Sequence, residues 1–163
     1  MTDLTDPRVA RAIALAWREA ELLDDKDYET WADLYTPDAW YVVPTDPSTD
    51  DFASSLNMVY DDDRMRRMRV ARMTEGFSPS AVAAARTART VSRFSVAEVS
   101  DAGVRLRAAQ VVVAYKRGSY SVLAGDVTYQ MILGATVDTD RIGGKVIRLL
   151  NCDDPVSASG FLL

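Results

Sequence analysis

The side chain that catalysis uses most is missing: the 163-residue chain contains no histidine, and its single cysteine is Cys152. A Ser–His–Asp or Cys–His relay therefore cannot be assembled. Nor can a Cys/His zinc set, a two-histidine, one-carboxylate iron site or the two-Cys, two-His ligand set of a Rieske cluster. No GxGxxG or GxxxxGK[ST] run offers a phosphate cradle. What remains is carboxylate, phenol and guanidinium. Glu19, Glu21, Asp27 or Asp33 could serve as a general base inside a cavity, although helical acids in an acidic segment are usually a solvated face. Asp61, Asp62 and Asp63 could meet a divalent cation. Consecutive carboxylates at a helix start point in different directions, however, and capping suits them better. Asp153-Asp154 before Pro155 reads as a turn. Cys152 has no base beside it in sequence and reads as inert. The sequence thus predicts no catalytic residue and no metal ligand.

Two other groups could recognise rather than react. Trp17, Trp31, Tyr35, Trp40, Tyr41 and Tyr60 crowd into the first sixty residues. They could line an apolar pocket for an aromatic ligand, with Trp17, Trp31, Tyr35, Tyr41 and Tyr60 as its candidates, or simply form a helix–sheet core. Arg64, Arg66, Arg67, Arg69 and Arg72 follow an acidic triplet. They could clamp phosphate, but a salt-bridged surface or a protein interface fits the alternation of signs better.

The elements that must position these residues are legible in the periodicity. Asp6-Pro7 opens a helix, and Val9, Ile13, Ala16, Trp17 and Ala20 recur at helical spacing to about residue 24. Asp24-Asp25-Lys26-Asp27 breaks it. A second helix with Tyr28, Trp31, Leu34 and Tyr35 on one face stops before Pro37. Residues 40–43 are β-prone, 45–53 form a polar loop, and 56–60 make a short strand. The arginine-rich helix runs to about Glu75 with Met65, Met68 and Ala71 as its buried stripe and Gly76 as its cap. The period then changes from 3.6 to 2. Strands are predicted at 89–99, along the alternation Val104 to Ala114, along Val127 to Val137, and at 145–152. Short connections such as Lys116–Ser119 make neighbouring strands antiparallel. Helices first and long strands afterwards define an α+β fold in one domain, 1–163.

Charge is uneven. The chain carries a net −5, with sixteen acids and four bases in residues 1–63 against eight acids and fifteen bases in 64–163. Either the two halves fold against each other or the faces are complementary between subunits. Neither arrangement is a nucleic-acid reader, which would show a basic domain with a recognisable motif. Met1-Thr2-Asp3-Leu4 opens without a basic segment and apolar run, and no stretch approaches a membrane span. A cytoplasmic protein is expected.

The order of these features resembles the β (small) subunits of aromatic-ring-hydroxylating dioxygenases. The resemblance is carried by DYETWADLYTPDAWYVVP (Asp27–Pro44), LNMVYDDDRMRRMRVARMTEGF (Leu56–Phe77), ARTARTVSRFSV (Ala85–Val96) and the closing FLL (Phe161–Leu163). Tyr60, Asp61, Asp62, Arg69, Val70, Arg72 and Gly76 stand where that family's arginine-rich helix has their counterparts, and Arg86, Thr87 and Arg89 match its Arg-Thr-Arg segment. Thr90 departs from the histidine common after that segment.

The resemblance implies a SnoaL-like, nuclear-transport-factor-like cone: N-terminal helices packed in a strongly curved antiparallel sheet. It implies a structural subunit that forms a homotrimer within an α3β3 assembly, bound to a dioxygenase α subunit. That α subunit would hold the Rieske iron–sulfur cluster and the mononuclear iron, and this chain would hold no cofactor. Arg86, Arg89, Arg93, Phe161, Leu162 and Leu163 are the expected partner-interface residues, each with an alternative reading as surface charge or core closure. Two other functions stay open: a stand-alone isomerase-type cone enzyme with an aspartate base and a tyrosine donor, and a binding module for small hydrophobes.

Overall fold

The computed structural model describes residues 3–75, 85–154 and 161–163. Its first element is α1 (Pro7–Asp24), capped by the Asp6 carboxylate on the Arg8 amide and started by proline at its first position. α1 ends where Lys26 takes φ +60° and the Asp27 carboxylate caps α2 (Tyr28–Asp33). The second helix is shorter than the sequence predicts. Tyr35 already belongs to β1 (Tyr35–Pro44), because Pro37 cannot continue a helix and the chain turns extended two residues before it.

β2 (Asn57–Asp61) pairs back on β1, and α3 (Asp63–Thr74) follows with Asp62 as its N-cap. Four long strands complete the chain: β3 (Arg86–Val99), β4 (Gly103–Lys116), β5 (Ser119–Ile132) and β6 (Arg141–Leu149). β5 stops five residues short of the alternation that reaches Val137, which falls instead in a short 3₁₀ turn, Val137–Thr139. β6 correspondingly begins before residue 145. The expected cap at Gly76 lies outside the described residues.

The sheet order is β2-β1-β6-β5-β4-β3. Its neighbours are antiparallel except β1 and β6, which run parallel. The sheet curls round α1, which packs on β3 and β4. Two local features allow the curl. β3 is bulged between Ser92 and Ser95, with Arg93 at φ +54°. Gly125 brings β5 so close to β6 that a Cβ would stand 2.2 Å from the Arg148 carbonyl oxygen. The expected α+β cone is therefore the fold observed.

The core lies between α1 and the inner face of the sheet. Val9, Ala12, Ile13, Ala16 and Leu23 meet Val104, Leu106, Ala108, Val112, Val127, Met131, Ile142 and Ile147 there. The inward set of β4 follows the predicted alternation, Val104 through Ala114. α3 does not follow its predicted stripe. Met65 and Met68 are exposed, while Arg66 and Val70 are buried. The reason lies in β1, whose register on β6 jumps between Tyr35 and Trp40. The carbonyls of Thr36 and Ala39 need donors at that break, and the Arg66 guanidinium supplies both.

Candidate functional site

In a cone of this kind the helices and sheet enclose an interior, and here that interior is polar at its centre. Glu19 lies on the buried face of α1, four residues before Leu23 and three after Ala16. Its Oε1 accepts from Trp31 Nε1 at 3.0 Å, Tyr35 Oη at 2.7 Å and Lys145 Nζ at 3.0 Å. Its Oε2 accepts from Tyr129 Oη and Lys145 Nζ, each at 3.0 Å. Lys145 comes from β6, opposite Tyr41 of β1 and Tyr129 of β5, so the strand register sets three of these side chains on one level. Glu19 and Lys145 are both essentially inaccessible to solvent.

The cluster extends to residues 161–163. Tyr41 Oη donates to the Leu163 carbonyl at 2.7 Å and accepts from its amide at 3.0 Å, while Lys145 Nζ donates to the same carbonyl at 3.1 Å. Beside it, Arg89 bridges Asp24 at the end of α1 to the Leu162 carbonyl, and Thr87 Oγ1 donates to Asp24 at 2.8 Å. Burial, reinforced by the charge of Glu19, pushes the phenols of Tyr35 and Tyr129 far above the ordinary tyrosine range. Burial also raises Tyr41. It pulls the Lys145 ammonium below its usual range, an effect that Glu19 opposes.

These groups can hold the fold together, but the arrangement leaves no reacting oxygen available. Every lone-pair direction a general base would use on Glu19 is already engaged by a donor.

The sequence-derived pocket residues separate into three places. Trp31, Tyr35 and Tyr41 pack edge to face, with ring centroids 5.1–6.5 Å apart, in the cluster just described. Trp17 lies on the outside of α1 against Phe94, donating Nε1 to the Val91 carbonyl at 3.0 Å. Tyr60 stacks on Trp40 on the outer face of the sheet, centroids 4.2 Å apart. The expected interface residues divide as well. Arg86 and Arg93 project outward, Arg93 onto Asp126. Arg89, Leu162 and Leu163 turn into the chain's own interior, with Phe161 half-buried beside the core. The arginine-rich helix is a network of charge pairs: Arg69 chelates the buried Asp61 at 2.7 and 3.0 Å, and Arg67 reaches Asp33.

Glu19 and Lys145 were the residues hardest to assign from sequence. Glu19 reads as one more solvated acid until its register with Ala16, Ala20 and Leu23 is noticed. Lys145 sits in phase with Ile147 and Leu149 on an inward strand face, where a lone cation implies a buried partner.

A sheet curled round an N-terminal helix, with a buried carboxylate–ammonium pair among tyrosines at its centre, defines an α+β cone. The chain belongs to the ring hydroxylating beta subunit family, whose profile matches residues 18–152. It is 32% identical over 96 residues to the toluate 1,2-dioxygenase subunit beta of Pseudomonas putida, covering 56% of this chain and 59% of that one. It is 28% identical over 100 residues to the 2-halobenzoate 1,2-dioxygenase small subunit of Burkholderia cepacia, covering 58% and 61%. The matched segments thus span less than two thirds of those relatives. The fold is shared with the beta subunit of benzoate 1,2-dioxygenase from Burkholderia mallei, at TM-score 0.74 and 24% identity over 96% of this chain and 97% of that one.

The residues of this chain do not fit a Rieske cluster or a mononuclear iron. The sequence has no histidine, and among the described residues no three Cys, Asp or Glu side chains converge as metal ligands. No helix among them is long and apolar enough to cross a membrane.

Proposed function

We propose that the chain is the small structural and assembly subunit of a Rieske non-haem iron dioxygenase that hydroxylates aromatic rings in catabolism. It acts as one cytoplasmic domain and binds a large α subunit, which carries the Rieske iron–sulfur cluster and the mononuclear iron. Three copies form the base of an α3β3 assembly. The observation that carries this reading is the engaged carboxylate: Lys145 spans both oxygens of Glu19, and Trp31, Tyr35 and Tyr129 donate to them as well. The names of the relatives support the same reading.

In this role Arg86 and Arg93, which project outward, contact partner chains. Arg89, Leu162 and Leu163 contribute indirectly, by tying β3 to α1 and to residues 161–163.

The second reading, a stand-alone isomerase-type enzyme, draws on a specific observation: a carboxylate does face two phenols here. Its base would need a free oxygen and a cavity beside it, and the Lys145 contacts weigh against both. The test is turnover. The purified chain alone is expected to convert neither cyclic ketones nor aromatic rings. Adding the Rieske large chain, a reductase and NAD(P)H is expected to give ring hydroxylation. Turnover of a cyclic ketone by this chain alone would overturn the proposal.

A further inference from the structure

Three side chains from three separate strands converge on the backbone of Leu162 and Leu163. Tyr41 of β1 donates to the Leu163 carbonyl at 2.7 Å and accepts from its amide at 3.0 Å. Lys145 of β6 donates to the same carbonyl at 3.1 Å. Arg89 of β3 donates through Nη2 to the Leu162 carbonyl. Each of the three side chains is at most 1% exposed. The side chains of Leu162 and Leu163 are buried with them in the core.

None of the three donors relies on that segment for its position. Tyr41 packs edge to face on Trp31 and Tyr35. Lys145 is held between both oxygens of Glu19. Arg89 spends Nη1 on Asp24 and on Thr87 Oγ1. Donors anchored from behind keep their directions when the acceptor leaves, which is the property of a preorganised site.

The donor set is also larger than Leu162 and Leu163 use. Arg89 Nε is buried and has no hydrogen-bond partner among the described residues. Leaving a buried donor unmet is costly. Nε and Nη2 together form one edge of the guanidinium fork, which can take a pair of oxygens from one ligand. The open Nε therefore points to a ligand that satisfies the site more fully than the chain's own segment does.

We infer that Tyr41, Lys145 and Arg89 form a binding site for small acyl-leucine compounds, meaning an acyl oxygen on a short chain with branched apolar side groups. Leu162 and Leu163 occupy that site in this structure as an intramolecular ligand. The site binds and does no chemistry, and the inference goes beyond the subunit reading without depending on it. Glu19 with Lys145 and Asp24 with Arg89 are balanced pairs. A neutral amide thus enters without adding charge, whereas a free acid gains the open Nε but brings an unbalanced carboxylate. The acyl oxygen and branched chain are common to both sources, and the two probes below separate them.

The experiment is calorimetry on the full chain carrying Leu162→Lys/Leu163→Lys, titrated with N-acetyl-Leu-Leu and with its C-terminal amide. Two cations set against Lys145 and Arg89 unseat the segment and leave the site open. At least one probe is expected to bind saturably. The unaltered chain is expected to bind it about tenfold or more weakly, because a tethered segment competes at an effective concentration on the order of millimolar. Adding Tyr41→Phe to the double variant is expected to weaken binding about 3–10-fold, through loss of one hydrogen bond. Tighter binding of the acid names free acids as the source, and tighter binding of the amide names capped chains.

No heat from either probe with a folded double variant overturns the inference. So does equal affinity in the unaltered chain, or binding that Tyr41→Phe leaves unchanged. Circular dichroism checks folding, and Leu162→Gly/Leu163→Gly replaces the lysine pair if that variant does not fold. Capture of a Rieske large chain by the unaltered protein is scored separately. Its failure would sink the subunit reading and leave this site standing, and the reverse holds for the titrations.

Discussion

Lys145 Nζ lies 3.0 Å from each carboxylate oxygen of Glu19, across 126 residues of sequence, and neither side chain reaches solvent. A buried pair of this kind is costly to break. Lys145→Met leaves Glu19 without its counter-charge and is expected to lower stability by about 3–5 kcal/mol. The double variant Glu19→Leu/Lys145→Met is expected to lose much less than the sum of the two single changes, because no uncompensated charge remains. Urea unfolding of the three variants measures the coupling. Additive losses would mean that the two side chains do not act as a pair.

The tyrosines around that pair predict an alkaline limit. Tyr35, Tyr129 and Tyr41 hold their protons more tightly when folded, through burial and the nearby Glu19 charge. Above about pH 10 the unfolded chain loses phenolic protons that the folded chain keeps, so stability falls as pH rises. Lys145 works the other way. Its folded affinity for the proton is depressed, so its contribution rises with pH up to the ordinary lysine range. Three phenols against one ammonium leave a net loss above pH 10. Phenolate absorbance should show a subset of the seven tyrosines titrating only as the fold is lost. Titration of all of them at the ordinary value, with the fold intact, would contradict the burial argument.

Arg66 is buried and serves the carbonyls of Thr36 and Ala39 where β1 breaks register. Arg66→Met keeps much of the bulk but removes the donors, and is expected to cost about 2–4 kcal/mol. Met65→Ala and Met68→Ala, on the exposed side of the same helix, are expected to change stability by about 0.5 kcal/mol or less. Thermal unfolding separates the two expectations. Equal losses at Met68 and Arg66 would restore the stripe read from sequence.

That stripe shows where the sequence stops being sufficient. α1 and β4 were legible because each buries one face, and the periodicity of that face survives in the residue types; the Lys116–Ser119 hairpin was legible from its turn residues, with Gly118 at φ +81°. α3 was legible as a helix, from its acidic start, but not in orientation. Its buried side is set by carbonyls that β1 leaves unpaired, and no property of residues 63–74 reports on those. The same holds for the candidate site. Trp31, Tyr35 and Tyr41 could be grouped in advance as aromatics near one another in sequence. Tyr129 and Lys145 come together only through strand register, and Glu19 joins them only through the packing of α1 in the sheet.

The turn between α1 and α2 offers a gain in stability. Lys26 holds φ +60° between two helices, a conformation that costs a side-chain-bearing residue about 1 kcal/mol and glycine almost nothing. Lys26→Gly is expected to be neutral to about 0.5–1 kcal/mol stabilising, after the added entropy of the unfolded chain. Calorimetry on the two chains checks it. A loss above about 1 kcal/mol would show that the Lys26 side chain contributes an interaction of its own.

The assembly role is tested most directly by co-expressing a tagged form of this chain with a Rieske large chain and purifying on that tag. The subunit account predicts that the large chain elutes with it in a fixed ratio, survives size-exclusion chromatography, and brings the iron–sulfur absorbance into the complex. Elution of this chain alone, with every Rieske partner tested left in the flow-through, would contradict it.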